Sequence, residues 1–250
     1  QSDVRAVALL DLNLAQKMVQ EMAKLVKHGL DFAVREQSGS AFSRRRHVAA
    51  DQAEMRLPAA IGLRPAREIS GDLYDFFGHG DGQVQIAFGD SSGKGAAAAL
   101  FGAMVNGLMR TLAPRRRKPA ELMRALNDTL VHRKVEGRYL TLLMLLWDPE
   151  SRSFTMANAG GSPPVICRDG AIVNLQVEGV PLGLLPDRDY EETVFQTMPG
   201  DLVVLFSDGV SDHLSEASEE YGAARLGKIL QRDCGLEPRE IVQNVFADLD

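Results

Sequence analysis

Apolar positions along the 250-residue chain follow two rhythms, which change over near residue 57. In the first stretch Val7, Leu10, Leu14, Met18, Met22, Leu25 and Phe32 recur mostly at three- and four-residue steps, with an interruption near Gly29. That spacing lays one apolar face along a helix, so residues 4 to about 36 are expected to form a single helix. Lys17, Glu21, Lys24 and Lys27 fall on its other faces. The steps keep no strict heptad, so a regular coiled coil does not follow. Packing on its own domain and a dimerising or signal-transmitting role remain equally open. Gln37-Ser38-Gly39-Ser40 and the basic run behind it read as a linker.

From residue 57 onward, short apolar runs of strand length take over. They fall at 59–64, 73–78, 83–89, 139–147, 153–158, 164–168, 171–175, 192–197 and 202–207. Turn signals such as Gly80-Asp81-Gly82, Asp148-Pro149-Glu150 and Arg168-Asp169-Gly170 separate several of them. Two helices are expected between the third and fourth runs, one over 95–112 and one from Pro119 to about Lys134. Two more close the chain at about 218–232 and 237–249. Strands, two helices, strands and helices again is not the alternation of a parallel doubly wound sheet. It fits an α+β fold in which helices cover antiparallel sheets. The expected organisation is a helical segment over residues 1–50 and one domain over 51–250.

Composition narrows the partners. The chain is 45% hydrophobic and 25% charged, with a formal net charge of −6. An acidic balance argues against non-specific nucleic-acid binding, which needs positive charge against phosphates. The clusters Arg44-Arg45-Arg46-His47 and Arg115-Arg116-Arg117-Lys118 read as solvated flanks. Cys167 and Cys234 lack Cys-x-x-Cys spacing, so reduced thiols and a cytoplasmic setting are expected. No apolar run is read as long enough for a membrane span, and no signal peptide opens the chain. A chain that begins with Gln rather than Met is expected to be part of a longer protein.

The chemistry resides in three aspartates, each in a glycine-flanked turn: Ser70-Gly71-Asp72, Gly89-Asp90-Ser91-Ser92-Gly93-Lys94-Gly95 and Ser207-Asp208-Gly209. The second stretch invites a phosphate-loop reading, which fails. Only three residues separate Gly89 from Gly93, and Gly95 stands where the magnesium-binding hydroxyl residue belongs. The carboxylates offer more. Runs 73–78 and 83–89 form a predicted hairpin, which returns Asp90 beside Asp72. Two such carboxylates repel each other unless a cation neutralises them. Oxygen donors without His or Cys favour Mg²⁺ or Mn²⁺, and the tight turn lets the Ser91 carbonyl face the ion as well. The five histidines show no ligand spacing, and Trp147 is expected in the core.

The series Arg64-Pro65-Ala66-Arg67-Glu68-Ile69-Ser70-Gly71-Asp72-Leu73-Tyr74-Asp75-Phe76 resembles the opening motif of the SpoIIE-like bacterial serine/threonine phosphatases, a branch of the metal-dependent PPM superfamily. Gly89 to Gly95 is similar to their second motif. Ala157-Asn158-Ala159-Gly160 with Pro163-Pro164, then Pro181-Leu182-Gly183, Gly200-Asp201 and Asp208-Gly209-Val210 follow in the family's order. The resemblance covers about residues 57 to 250 and implies a four-layer α-β-β-α sandwich with two Mn²⁺ or Mg²⁺ ions at one edge. Asp72, Asp90 and Asp208 are the implied catalytic metal ligands, with Asp90 bridging, and a metal-activated water attacks the phosphorus of phosphoserine or phosphothreonine in line. Arg67 is placed to hold the substrate phosphate. Asp75, on the opposite strand face, is expected to be structural.

By the same resemblance the substrate is a small phosphorylated regulatory protein, such as a STAS-type anti-sigma-factor antagonist. A homodimer is expected through the N-terminal helix, on the apolar face that its spacing lays out. The competing expectation is a phosphatase-like adaptor that binds partners without catalysis. Two departures from the family pattern stand out. Gly161 replaces the usual His after Asn-Ala-Gly, which predicts an altered loop or substrate contact. A further metal aspartate normally precedes a last strand, whereas this chain ends at Asp250 in the helix expected before it. That strand and ligand are expected to be missing. Asp248 and Asp250, on the helix itself, are not assigned the role.

Overall fold

Strand β5 (Leu140–Asp148) illustrates how the strands sort their apolar residues. Leu143, Leu145 and Trp147 face one way and Leu140, Leu142 and Met144 the other, all six buried. A strand apolar on both faces has to lie between two packed layers. The first set joins Phe76, Val84, Ile86, Phe88, Phe154 and Met156 of the same sheet with Ile166, Val203 and Leu205 of a second sheet. The other set meets Phe101, Val105 and Met109 of helix α1 (Ala96–Leu112) and Leu122, Met123 and Leu126 of α2 (Pro119–His132).

The computed structural model describes residues 5–10, 59–63, 71–133, 135–214 and 219–250. One sheet is antiparallel throughout, in the order β3 (Asp72–Gly78), β4 (Val84–Ser91), β5, β6 (Ser153–Ala159), β9 (Thr193–Gln196). The other runs β2 (Ala59–Leu63), β1 (Arg5–Leu10), β10 (Leu202–Phe206), β7 (Val165–Arg168), β8 (Ala171–Asn174). Its outer face carries Leu202, Val204 and Phe206 onto α4 (Gly222–Asp233) and α5 (Pro238–Leu249). A single helical turn, α3 (Asp208–Ser211), follows β10 directly. Helix, sheet, sheet, helix is the four-layer architecture expected, and Trp147, 1% exposed, packs at a tilt against Phe154 inside it.

The N-terminal reading requires a correction. Residues 5–10 do not begin a helix. They form β1, paired in parallel with β10 on one side and β2 on the other. Local periodicity lost to tertiary pairing, because β10 is buried along its whole length and needs hydrogen-bond partners at both edges. The remainder of the expected helix, residues 11–36, and the linker at 37–40 lie outside the described residues.

A second correction concerns Ala96–Arg115, which is long and apolar enough, by length and composition, to cross a membrane. Core helices of soluble proteins meet that criterion too, and here Ala98, Phe101, Gly102, Val105 and Met109 are buried. Asp75 secures the far end of this helix. Buried on β3, its Oδ1 accepts from Arg110 Nη2 at 2.6 Å, the structural role expected of it.

Candidate metal centre

Antiparallel pairing sets Asp72 of β3 directly opposite Asp90 of β4. Strand alternation places Asp72 on the face of Tyr74 and Phe76, and Asp90 on the face of Phe88 and Ile86. Both positions therefore continue the inter-sheet column of apolar side chains to its open end. From the other sheet, β10 runs to Phe206 and Ser207 and delivers Asp208 as the first residue of α3. The effect on Asp90 is large. Its carboxyl is pushed up to about 6, first by burial and then by the negative charge of Asp208, while a hydrogen bond from the Ser91 amide pulls the other way. Ser207 Oγ, beside Asp208, is buried and unpartnered among the described residues.

The loop after Asp90 is built over Gly71. The Ser91 amide donates to the Gly71 carbonyl at 3.1 Å, and Ser91 Oγ donates to the carbonyl of Ala98 in α1 at 2.8 Å. A Cβ at Gly71 would lie 2.6 Å from each of Asp90 Oδ1, Ser91 O and Ser91 Oγ. Three oxygens thus crowd a space that only glycine leaves open. Gly71→Ala should displace this loop and lower kcat/KM about a hundredfold, the scale set by misplacing a catalytic group by about 1 Å. Gly107→Ala, in a helix position with nothing within 4 Å of the added methyl, should keep wild-type activity. Equal kcat/KM for Gly71→Ala and wild type would contradict the cradle.

Asp72 and Asp90 thus stand opposite each other, and Asp208 is near enough for its charge to act on Asp90. Among the described residues, however, no group of three or more His, Cys, Asp or Glu gathers tightly enough to ligate an ion. The donors on hand are carboxylate and carbonyl oxygens, with no thiolate or imidazole among them. That set fits a hard divalent cation such as Mg²⁺ or Mn²⁺.

Arg67 lies outside the described residues. Gly161 is held by Asn158, whose side chain accepts from the Gly161 amide at 2.8 Å and donates to the Gly161 carbonyl at 2.9 Å. Asp248 on α5 accepts from Arg225 Nε at 2.8 Å. Sequence reasoning missed Arg138, which reaches across 46 residues to the Ser92 carbonyl. No motif spacing signals that contact, which exists only once β4 and β5 pair.

Residues 80–250 match the family model described as Stage II sporulation protein E (SpoIIE). Phosphoserine phosphatase RsbU of Bacillus subtilis (strain 168) is 29% identical over 190 residues, which is 74% of this chain and 55% of RsbU. Among solved structures, the SiaA-PP2C domain of Pseudomonas aeruginosa aligns with a TM-score of 0.69 at 18% identity, covering 94% of this chain and 90% of that one. RsbX in complex with magnesium aligns at 0.55 and 17% identity, over 74% of this chain and 82% of that one. The sandwich is therefore the PP2C-type phosphatase fold. The chain spans 55% of the length of RsbU.

Proposed function

We propose, from the premise that this chain belongs to the SpoIIE family, that it is a metal-dependent protein phosphatase acting on phosphoserine and phosphothreonine. Asp72, Asp90, the Ser91 carbonyl and Asp208 hold two Mn²⁺ or Mg²⁺ ions at the open end of the sandwich. Bound divalent ions supply neutralisation of phosphoryl charge and a water acidified to near-neutral pKa. The protein's own part is to hold hard oxygen donors from two sheets in one place and to keep Asp90 partly shielded from solvent. Arg67 orients the substrate phosphate as a two-pronged donor. The substrate is a small phosphorylated regulatory protein of the STAS type. The N-terminal segment mediates a homodimer and carries regulation, and the protein acts in the cytoplasm.

One observation carries this reading: Asp90, opposite Asp72 in register, feels the charge of Asp208 from the other sheet. Carboxylates forced together in this way are a standing demand for a cation. The test is phosphate release from a phosphoserine peptide and from p-nitrophenyl phosphate. Turnover should require added Mn²⁺ or Mg²⁺ and vanish with EDTA, and turnover that persists in EDTA would refute the mechanism. The absence of a tight three-carboxylate group among the described residues favours one alternative, an adaptor of the same fold. That protein would bind its phosphorylated partner yet release no phosphate at any metal concentration.

A further inference from the structure

All three polar groups of Ser92, two residues beyond Asp90, are held by the segment leading into β5. Its amide donates to the Tyr139 carbonyl at 2.9 Å, and its hydroxyl accepts from the Tyr139 amide at 2.9 Å. Its carbonyl accepts from Arg138 Nη1 at 2.5 Å. From the segment's side, the first two contacts use main-chain atoms that almost any residue at position 139 supplies. The third depends on one side chain. Gly93, at φ +93°, makes room for it, because a Cβ there would clash with the same Nη1. Arg138 forms no ion pair with a carboxylate among the described residues. Its charge is directed at a carbonyl, as a charge-assisted hydrogen bond.

Peptide geometry carries the effect to the site. The Ser91 carbonyl and the Ser92 amide share one rigid plane, and the Ser92 carbonyl begins the next. Ser91 is already fixed on its other side by Gly71 and Ala98. Arg138 closes the second half of this clamp. We propose that Arg138 is a positioning residue of the metal centre, which sets divalent-cation affinity by fixing where the Ser91 carbonyl and the Asp90 carboxylate point. This rests on the metal-dependent reading above.

The test is Mn²⁺ binding to the full 250-residue chain, followed by titration calorimetry and by the electron paramagnetic resonance signal of free Mn²⁺. Arg138→Gln should weaken binding about tenfold, the lower end for loss of an outer-shell partner. The metal-free melting temperature should stay within about 2 °C of wild type. Arg138→Lys, with a donor for the same carbonyl, should regain most of the affinity. If Arg138→Gln does not fold, Gly93→Ala attacks the clamp from the opposite side and should weaken Mn²⁺ binding by a similar factor. Wild-type affinity in Arg138→Gln or Gly93→Ala overturns the proposal. A wild-type chain that binds no Mn²⁺ overturns the metal-dependent reading itself, which is a different result.

Discussion

Asp90→Asn should reduce phosphate release about a hundredfold to a thousandfold and, in metal-free protein, raise the melting temperature. The first effect follows from removing one pre-placed anionic ligand from a site that works by electrostatics. The second comes from the same carboxylate. Folding raises its pKa from 3.8 to about 6, so the folded chain binds that proton more tightly than the unfolded chain does. The group's contribution is therefore most favourable below pH 4, declines as pH rises toward 6, and is a net cost above that. A pKa rise of that size corresponds to roughly 3 kcal/mol, and solvent screening of a partly exposed carboxylate reduces this to about 1–2 kcal/mol. Asparagine removes the cost, for a gain of about 3–6 °C in a chain of this size. Calorimetry in EDTA at pH 7.5, with kcat/KM in Mn²⁺, checks both halves. A variant that keeps its activity, or melts lower than wild type in EDTA, contradicts the placement of Asp90.

The second large effect lies at the other end of β10. Asp201, with no exposed surface, accepts from Arg168 Nε at 2.8 Å, from Arg168 Nη2 at 2.6 Å and from the Met198 amide at 2.8 Å. The guanidinium also donates to the Gln196 carbonyl at 3.0 Å and sits 5.0 Å from the centre of the Phe195 ring. Since Phe195 and Gln196 belong to β9, and Arg168 and Asp201 sit at β7 and β10, the pair ties the two sheets together. Asp201→Ala should cost about 2–4 kcal/mol, below the full range for a buried pair because the Arg168 side chain keeps 27% of its surface exposed. The melting temperature should fall by about 10 °C. Activity per folded molecule at 25 °C should hold, because five strand residues separate this pair from the Ser207-Asp208 end. The double variant with Arg168→Ala should recover part of the loss, since it leaves no unpaired charge. A melting temperature within about 2 °C of wild type for Asp201→Ala would show the pair to be inert.

Much of this protein can be read from its residues alone, and the division has a physical basis. Strands β3 to β10 and helices α1, α2, α4 and α5 fall close to their expected positions. The strands are short apolar runs bounded by turn signals and the helices carry a period of three to four, so the information is local. The Asp72–Asp90 pairing was likewise legible, because a hairpin's register follows from its turn and its apolar alternation. Asp75 could be set apart from Asp72 by strand alternation alone.

What the sequence could not decide were contacts between segments far apart in the chain. Residues 5–10 carry apolar residues compatible with helix or strand, and only the open edges of β2 and β10 select the strand. Arg138 acquires its role from a carbonyl 46 residues away. Asp208 becomes the neighbour of Asp90 only when two sheets close over a shared apolar core. The sequence by itself determined the aspartates, their turns and the elements that bear them. The packing of one sheet on the other decided that the charge of Asp208 acts on Asp90, because charge coupling depends on distance through space rather than along the chain.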